Sequence, residues 1–341
     1  MGNPTVAIRI ISSIRYFQLS GIVQFRYYYI SLTNDEQLRT QLWDNGFKRA
    51  GGELSMGSFR DSAYSYVYVP NFELKDPDPG VALGNFSRTS VFFLHSYLTF
   101  LWFVKDNSVS YNEAISSLSM DDKHFFTAGS NYEVATNSKG MLETTYFTHD
   151  ELMQAAIIYN QYQLITERKK QIVPSENTDA VFFETWKEGS KPEDLIDINI
   201  KDYNLVPLIE RALTFIFSAR TSPVLPNKLS LYMTALEAIF VPEGGGELQQ
   251  KISERAAFYI GTKENKSQIF KTIQNAYRVR SKYVHGDVMP SVYKNIDALR
   301  LLCLQIDHIT RQIFTKVVMV DSERFKDQKA LEKYLSELIF Q

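Results

Sequence analysis

The residues with the clearest chemical potential sit together in one stretch, Tyr277-Arg-Val-Arg280-Ser-Lys-Tyr-Val-His285-Gly-Asp287. The spacing predicts a helix from about Ser267 to His285, stopped by Gly286 and then by Pro290. Glycine is the usual residue just past a helix end, so His285 falls beside the last carbonyls. Their partial negative charge favours a protonated imidazole, and a histidine there can titrate near neutral pH and act as acid or base. Arg280 lies five residues earlier, about 7.5 Å along a regular helix and on another face. Its long side chain, or a loosened last turn, could bring guanidinium and imidazole to one phosphate. Between Lys266 and Gly286 there are five basic residues (Lys266, Lys271, Arg278, Arg280 and Lys282) and no acidic one. A helix so one-sided in charge suits phosphate contact, and it equally suits a face that stays in water.

Around this stretch, the 341 residues are 44% hydrophobic and 22% charged, with 20 Tyr and 23 Phe, which argues against wholesale disorder and for a sizeable core in two domains. A net charge of −2 hides a split. Residues 1–200 carry a net −7 and residues 201–341 a net +5, which makes the C-terminal part the expected partner of a polyanion. The one cysteine, Cys303, lies among Leu301, Leu302 and Leu304 and reads as a small buried hydrophobe. With no second cysteine for an intrachain disulfide, a reducing cytoplasm is the expected setting. The N-terminus lacks the order of a secretory signal. The apolar stretch Val91 to Val104 is shorter than the ~20 residues a membrane span needs, so it reads as a buried helix, and no membrane partner is expected.

The expected fold class is α+β. Residues 1–170 form a mixed β-rich and α domain, residues 171–200 a polar linker with one short strand at 181–183, and residues 201–341 an all-α bundle. Residues 5–32 read as strands, 45–87 as short strands and turns, 88–106 as the buried helix, and 124–147 as a strand pair turning near Asn137-Ser-Lys-Gly140. Thr148 and Glu151 stand in capping-box spacing ahead of a helix running to about Lys169. Further helices are expected through Leu229–Phe240, Glu247–Ile260, Ile296–Val317 and Ser322–Ile339.

The R-x4-H spacing at Arg280–His285 resembles the signature of the HEPN superfamily. Two phrases on the preceding helices, Ala235-Leu-Glu237-Ala-Ile-Phe240 and Ile252-Ser-Glu254-Arg255-Ala-Ala-Phe258, resemble its Apea-like branch. The resemblance covers about residues 200–320 and implies a helical bundle, often a metal-independent ribonuclease of bacterial defence or toxin systems. Such proteins commonly act as homodimers, with the Arg and His of both copies meeting in one cleft. It implies Arg280 and His285 as catalytic residues, with Ser281 standing where the superfamily often has Asn, Asp or His. Serine can donate to phosphate or orient His285 four residues on. RNA supplies its own 2′-hydroxyl nucleophile, one histidine takes that proton and another protonates the leaving oxygen, and arginine holds the phosphate. Arg278, Lys282, Lys271 and Lys266 would contact RNA, with Tyr277 in support. Glu237 and Arg255 either flank the cleft or pair internally to fix the helices.

No cofactor is expected, and the five histidines (His95, His124, His149, His285 and His308) lack the spacing of metal ligands. Gly244-Gly-Gly246 lacks the Lys-Ser/Thr of a phosphate loop, and Gly52 to Gly57 misses the serine-hydrolase spacing. The tyrosines at 27–29 either stack on bases or fill a buried strand. Two alternatives to a nuclease stand beside it: a non-catalytic nucleic-acid or nucleotide-binding module, and an interaction protein held by a regulatory partner.

Overall fold

The computed structural model describes residues 5–27, 30–42, 57, 59, 62–74, 78–120, 123–131, 133–166, 206–241 and 247–338. The chain is α+β, with a mixed sheet-and-helix region followed by an all-helical one. The first region contains β1 (Thr5–Arg15), β2 (Phe17–Leu19), β3 (Gln24–Tyr27), β4 (Ile30–Thr33), α1 (Glu36–Leu42) and β5 (Tyr64–Glu73). It continues with α2 (Pro79–Phe100), β6 (Ser110–Met120), β7 (Lys123–Ser130), β8 (Thr145–Phe147) and α3 (His149–Ile165). The second contains α4 (Leu208–Thr221), α5 (Leu225–Phe240), α6 (Leu248–Ile260), α7 (Lys266–Val284), α8 (Ile296–Met319) and α9 (Gln328–Glu337). The expected linker and its strand at 181–183 lie outside the described residues.

β1 is the spine of an antiparallel six-stranded sheet ordered β3-β4-β5-β1-β6-β7. Its alternation sends Val6, Ile8 and Ile10 to the face covered by Leu83, Phe86 and Phe93 of α2, while Ile11 packs with Tyr64 and Ile115 in a separate cluster. The strands expected at 124–147 exist but do not pair with each other. β7 pairs with β6, and β8 pairs in parallel with β2. β6 wins β7 because Ala114, Ile115 and Leu118 are buried in the sheet, a strand that its serine-rich sequence conceals. The turn near Gly140 is present and serves a different purpose. Its backbone runs so close to α4–α5 that a Cβ on Gly140 would lie 2.9 Å from the Pro223 carbonyl oxygen, and its φ of +74° suits glycine. Residues 79–87, expected as turns, belong to α2. Asp78 caps the helix by accepting from the N–H groups of Gly80 (2.8 Å) and Val81 (3.2 Å), and Pro79 takes the first position, where its missing N–H costs nothing.

One buried cluster joins the two segments that the sequence reading separates at 171–200. Phe100 stacks among Phe103, Tyr159 and Tyr162 and meets Phe217 of α4. A buried polar network runs through the same junction. Asp307 of α8 is fully buried and accepts from Trp102 Nε1 and Tyr232 Oη, both at 2.7 Å, and from Arg311. Arg220 of α4 donates to Asn107 Oδ1 at 2.7 Å and to the Thr99 carbonyl at 3.3 Å. Lys228 of α5 donates to the Ala219 carbonyl at 2.7 Å, and Asp106 accepts from the Ser138 hydroxyl at 2.6 Å. These contacts tie residues 99–138 to α4, α5 and α8 and supply hydrogen bonds that buried charges require.

Candidate functional site

α7 is positioned by one apolar stripe. Ile269, Thr272, Ile273, Ala276 and Val279 recur at three- and four-residue steps and are buried where the helix packs on α5 and α6. The outward face carries Lys271, Arg278 and Lys282, all exposed. The helix closes as the sequence suggests. Gly286, at φ +69°, sits in the left-handed position, its N–H donates to Tyr283 O (3.2 Å), and the Asp287 N–H donates to Lys282 O (2.8 Å). This double bond pattern satisfies the terminal carbonyls and leaves His285 as the C-cap, its own N–H bonded to Ser281 O at 3.1 Å and its side chain in solvent.

Arg280 is held from two sides. Its Nη2 donates to Glu237 Oε2 of α5 at 3.4 Å, its guanidinium carbon lies 5.3 Å from the centre of the Tyr277 ring, and its Nε is buried without a partner. The side chains of Arg280 and Glu237 keep 23% and 19% of their exposure, so the pair sits at the margin between core and water. Burial pushes the Glu237 carboxyl above its usual range, against the opposing pull of the Arg280 guanidinium and the neighbouring Tyr277 hydroxyl, while Glu237 Oε1 is buried without a hydrogen-bond partner. Burial, with Glu237 beside it, likewise raises the Tyr277 phenol.

The sequence-derived residues fall into three groups. Arg280, Glu237 and Tyr277 meet directly, while Ser281, half-buried, and His285 follow within the same helix end. Arg278 and Lys282 flank this end, and Lys282 pairs with Asp287 at 3.0 Å. Lys271 and Lys266 lie farther back, about 21 and 28 Å from His285 along the helix; Lys266 rests over the Phe258 ring at 4.3 Å. Arg255 is elsewhere. Buried on α6, it donates to the Phe240 carbonyl and to both carboxylate oxygens of Glu332, clamping α9 onto α6. Glu237 and Arg255 therefore have different partners and do not pair with each other. Among the described residues no hydrogen bond or ion pair joins Arg280 to His285, and no three His, Cys, Asp or Glu side chains gather where they could hold a metal. The Asp307 network escaped the sequence reading, although an acidic residue beside Ile306 on the apolar face of α8, with Arg311 four residues on, was a visible signal.

No protein-family model matches the chain, and no curated protein or solved structure matches it. Among the described residues no helix is long and apolar enough to cross a membrane.

Proposed function

We propose that this chain is an HEPN-type endoribonuclease that cuts RNA without a metal, working as a homodimer in the cytoplasm within a bacterial defence or toxin system. The observation that supports it most is that one helix end carries both a half-buried arginine held by Glu237 and Tyr277 and an exposed histidine at its capped terminus. Arg280 binds the scissile phosphate and offsets its developing charge. His285 of one copy takes the proton of the RNA 2′-hydroxyl, the 2′-oxygen attacks phosphorus, and the P–O5′ bond breaks. His285 of the second copy gives its proton to the departing 5′-oxygen, leaving a 2′,3′-cyclic phosphate and a 5′-hydroxyl. Ser281 donates to the phosphate, and Arg278 and Lys282 hold the flanking backbone, with Lys271 and Lys266 farther along the strand.

A homodimer supplies the second histidine, and a run of exposed apolar residues beside His285 supports it: Tyr283, Val284, Val288, Val292 and Ile296. The test is RNA cleavage in EDTA by the intact protein and by His285→Ala. Loss of cutting in the variant, with unchanged folding, supports the reading, whereas cleavage that EDTA abolishes or that His285→Ala retains contradicts it.

A second reading, a binding module without catalysis, is favoured by Arg280 contacting Glu237 and not His285. Oligonucleotide binding that never leads to cutting, also after removal of a co-purifying regulatory partner, selects that reading.

A further inference from the structure

The Glu237–Arg280 pair poses a problem for any anion. A phosphate that takes the Arg280 guanidinium must approach a carboxylate that already contacts the same nitrogen. Two negative groups sharing a half-buried site repel, and the least costly relief is a proton on one of them. A phosphodiester stays ionised at all ordinary pH, so the proton goes to Glu237. The helix that carries Glu237, α5, packs against α4, α6, α7 and α8, and the charged or titratable groups acting on the Glu237 carboxyl are Arg280 and Tyr277, both from α7.

We infer that a nucleic-acid phosphodiester binds Arg280 by displacing Glu237 and that one proton is taken up on the Glu237 carboxyl as it does so. Glu237 is thus a gate on the guanidinium. Ionised, it occupies Arg280; protonated, it releases Arg280 and turns from a repelling acceptor into a donor toward phosphate. This rests on the proposed role of Arg280 in phosphate binding and adds its proton dependence. The carboxyl already sits above its usual range, which brings the exchange closer to neutral pH.

Binding of a short thymidine oligodeoxynucleotide tests the gate, because it lacks the 2′-hydroxyl needed for cutting and its bases do not titrate at moderately acid pH. Fluorescence anisotropy at constant ionic strength is measured from about pH 8 to about pH 5. A one-proton exchange makes binding tighter as pH falls, by up to about tenfold per pH unit. His285→Ala serves as the background, so that no proton on that imidazole can contribute to the slope. The slope is expected to remain there, to vanish on adding Glu237→Gln, and to leave Glu237→Gln binding more tightly than its parent at the alkaline end. Tyr277→Phe, which removes a neighbouring hydroxyl that favours the ionised carboxyl, is expected to move the midpoint of the slope to higher pH. A slope that persists unchanged with Glu237→Gln and does not move with Tyr277→Phe overturns the gate while leaving Arg280 as the phosphate ligand. Binding that Arg280→Ala leaves intact across the whole range overturns the phosphate role itself, and the gate with it.

Discussion

Lys228 is fully buried, and its nearest titratable neighbours include Arg220, Asp307, Asp106 and Cys303. Burial pulls its ammonium down to about 8 and pushes the Cys303 thiol up to about 12. The sign follows from linkage. Between about 8 and its ordinary value of 10.5, Lys228 is mostly neutral when folded and charged when unfolded, so unfolding takes up a proton and stability rises with pH. Cys303 opposes this above its ordinary value of 9.0, where the unfolded thiol ionises first. In a Cys303→Ala background, urea unfolding is expected to show stability rising between about pH 8 and about pH 9.5, and Lys228→Met is expected to flatten that rise. Asp307 is a second residue-scale test. Asp307→Ala leaves Arg311 without its carboxylate and strands the Trp102 and Tyr232 donors, which should cost ~3–5 kcal/mol in the same unfolding assay. A loss below about 1 kcal/mol, the scale of a surface pair, would show that the network is dispensable.

At the scale of elements, what could be read in the sequence was whatever a short window carries. The capping box is one case: Thr148 Oγ1 accepts from Glu151 N, and Glu151 Oε2 accepts from Thr148 N at 2.9 Å. Thr148→Ala should destabilise the protein by ~1 kcal/mol, seen as a lower urea midpoint with unchanged slope. The α7 terminus was equally legible, because the 3.6-residue stripe and Gly286 are local signals. Pairings across the chain were not. β8 joins β2 in parallel, with Phe17 and Phe147 stacking at 5.6 Å, and nothing near either residue announces the other. The same limit applied to the site. Arg280, Ser281 and His285 could be named from spacing, but whether Glu237 pairs with Arg280 or with Arg255 depends on how α5, α6 and α7 cross. The sequence also left α2 too short, because Asp76-Pro-Asp-Pro-Gly80 carries the composition of a turn while Asp78 and Pro79 are equally good at starting a helix.

At the scale of the whole molecule, the sheet-bearing half and the helical half share one core, with Trp102 reaching Asp307 across 205 residues of sequence. Disturbing that junction should therefore be felt in both halves. Tyr283, Val284, Val288, Val292 and Ile296, close to His285 in sequence, face solvent, and the proposed dimer is formed through them. Val288 is 73% exposed and Val292 64%, so replacing both with Asp should leave the fold intact. The double variant is expected to run as a monomer by light scattering and to lose RNA cleavage while keeping its circular dichroism. A monomer that still cuts RNA would refute the need for a second histidine.

The chemistry of the cut end tests the central claim most directly. In EDTA, an RNA cleaved by this protein should carry a 2′,3′-cyclic phosphate by mass spectrometry, and a single 2′-deoxy substitution at the cleaved nucleotide should block cutting. A 3′-hydroxyl end, or cleavage on the 3′ side of the deoxy nucleotide, would contradict attack by the RNA's own hydroxyl and with it the roles given to Arg280 and His285.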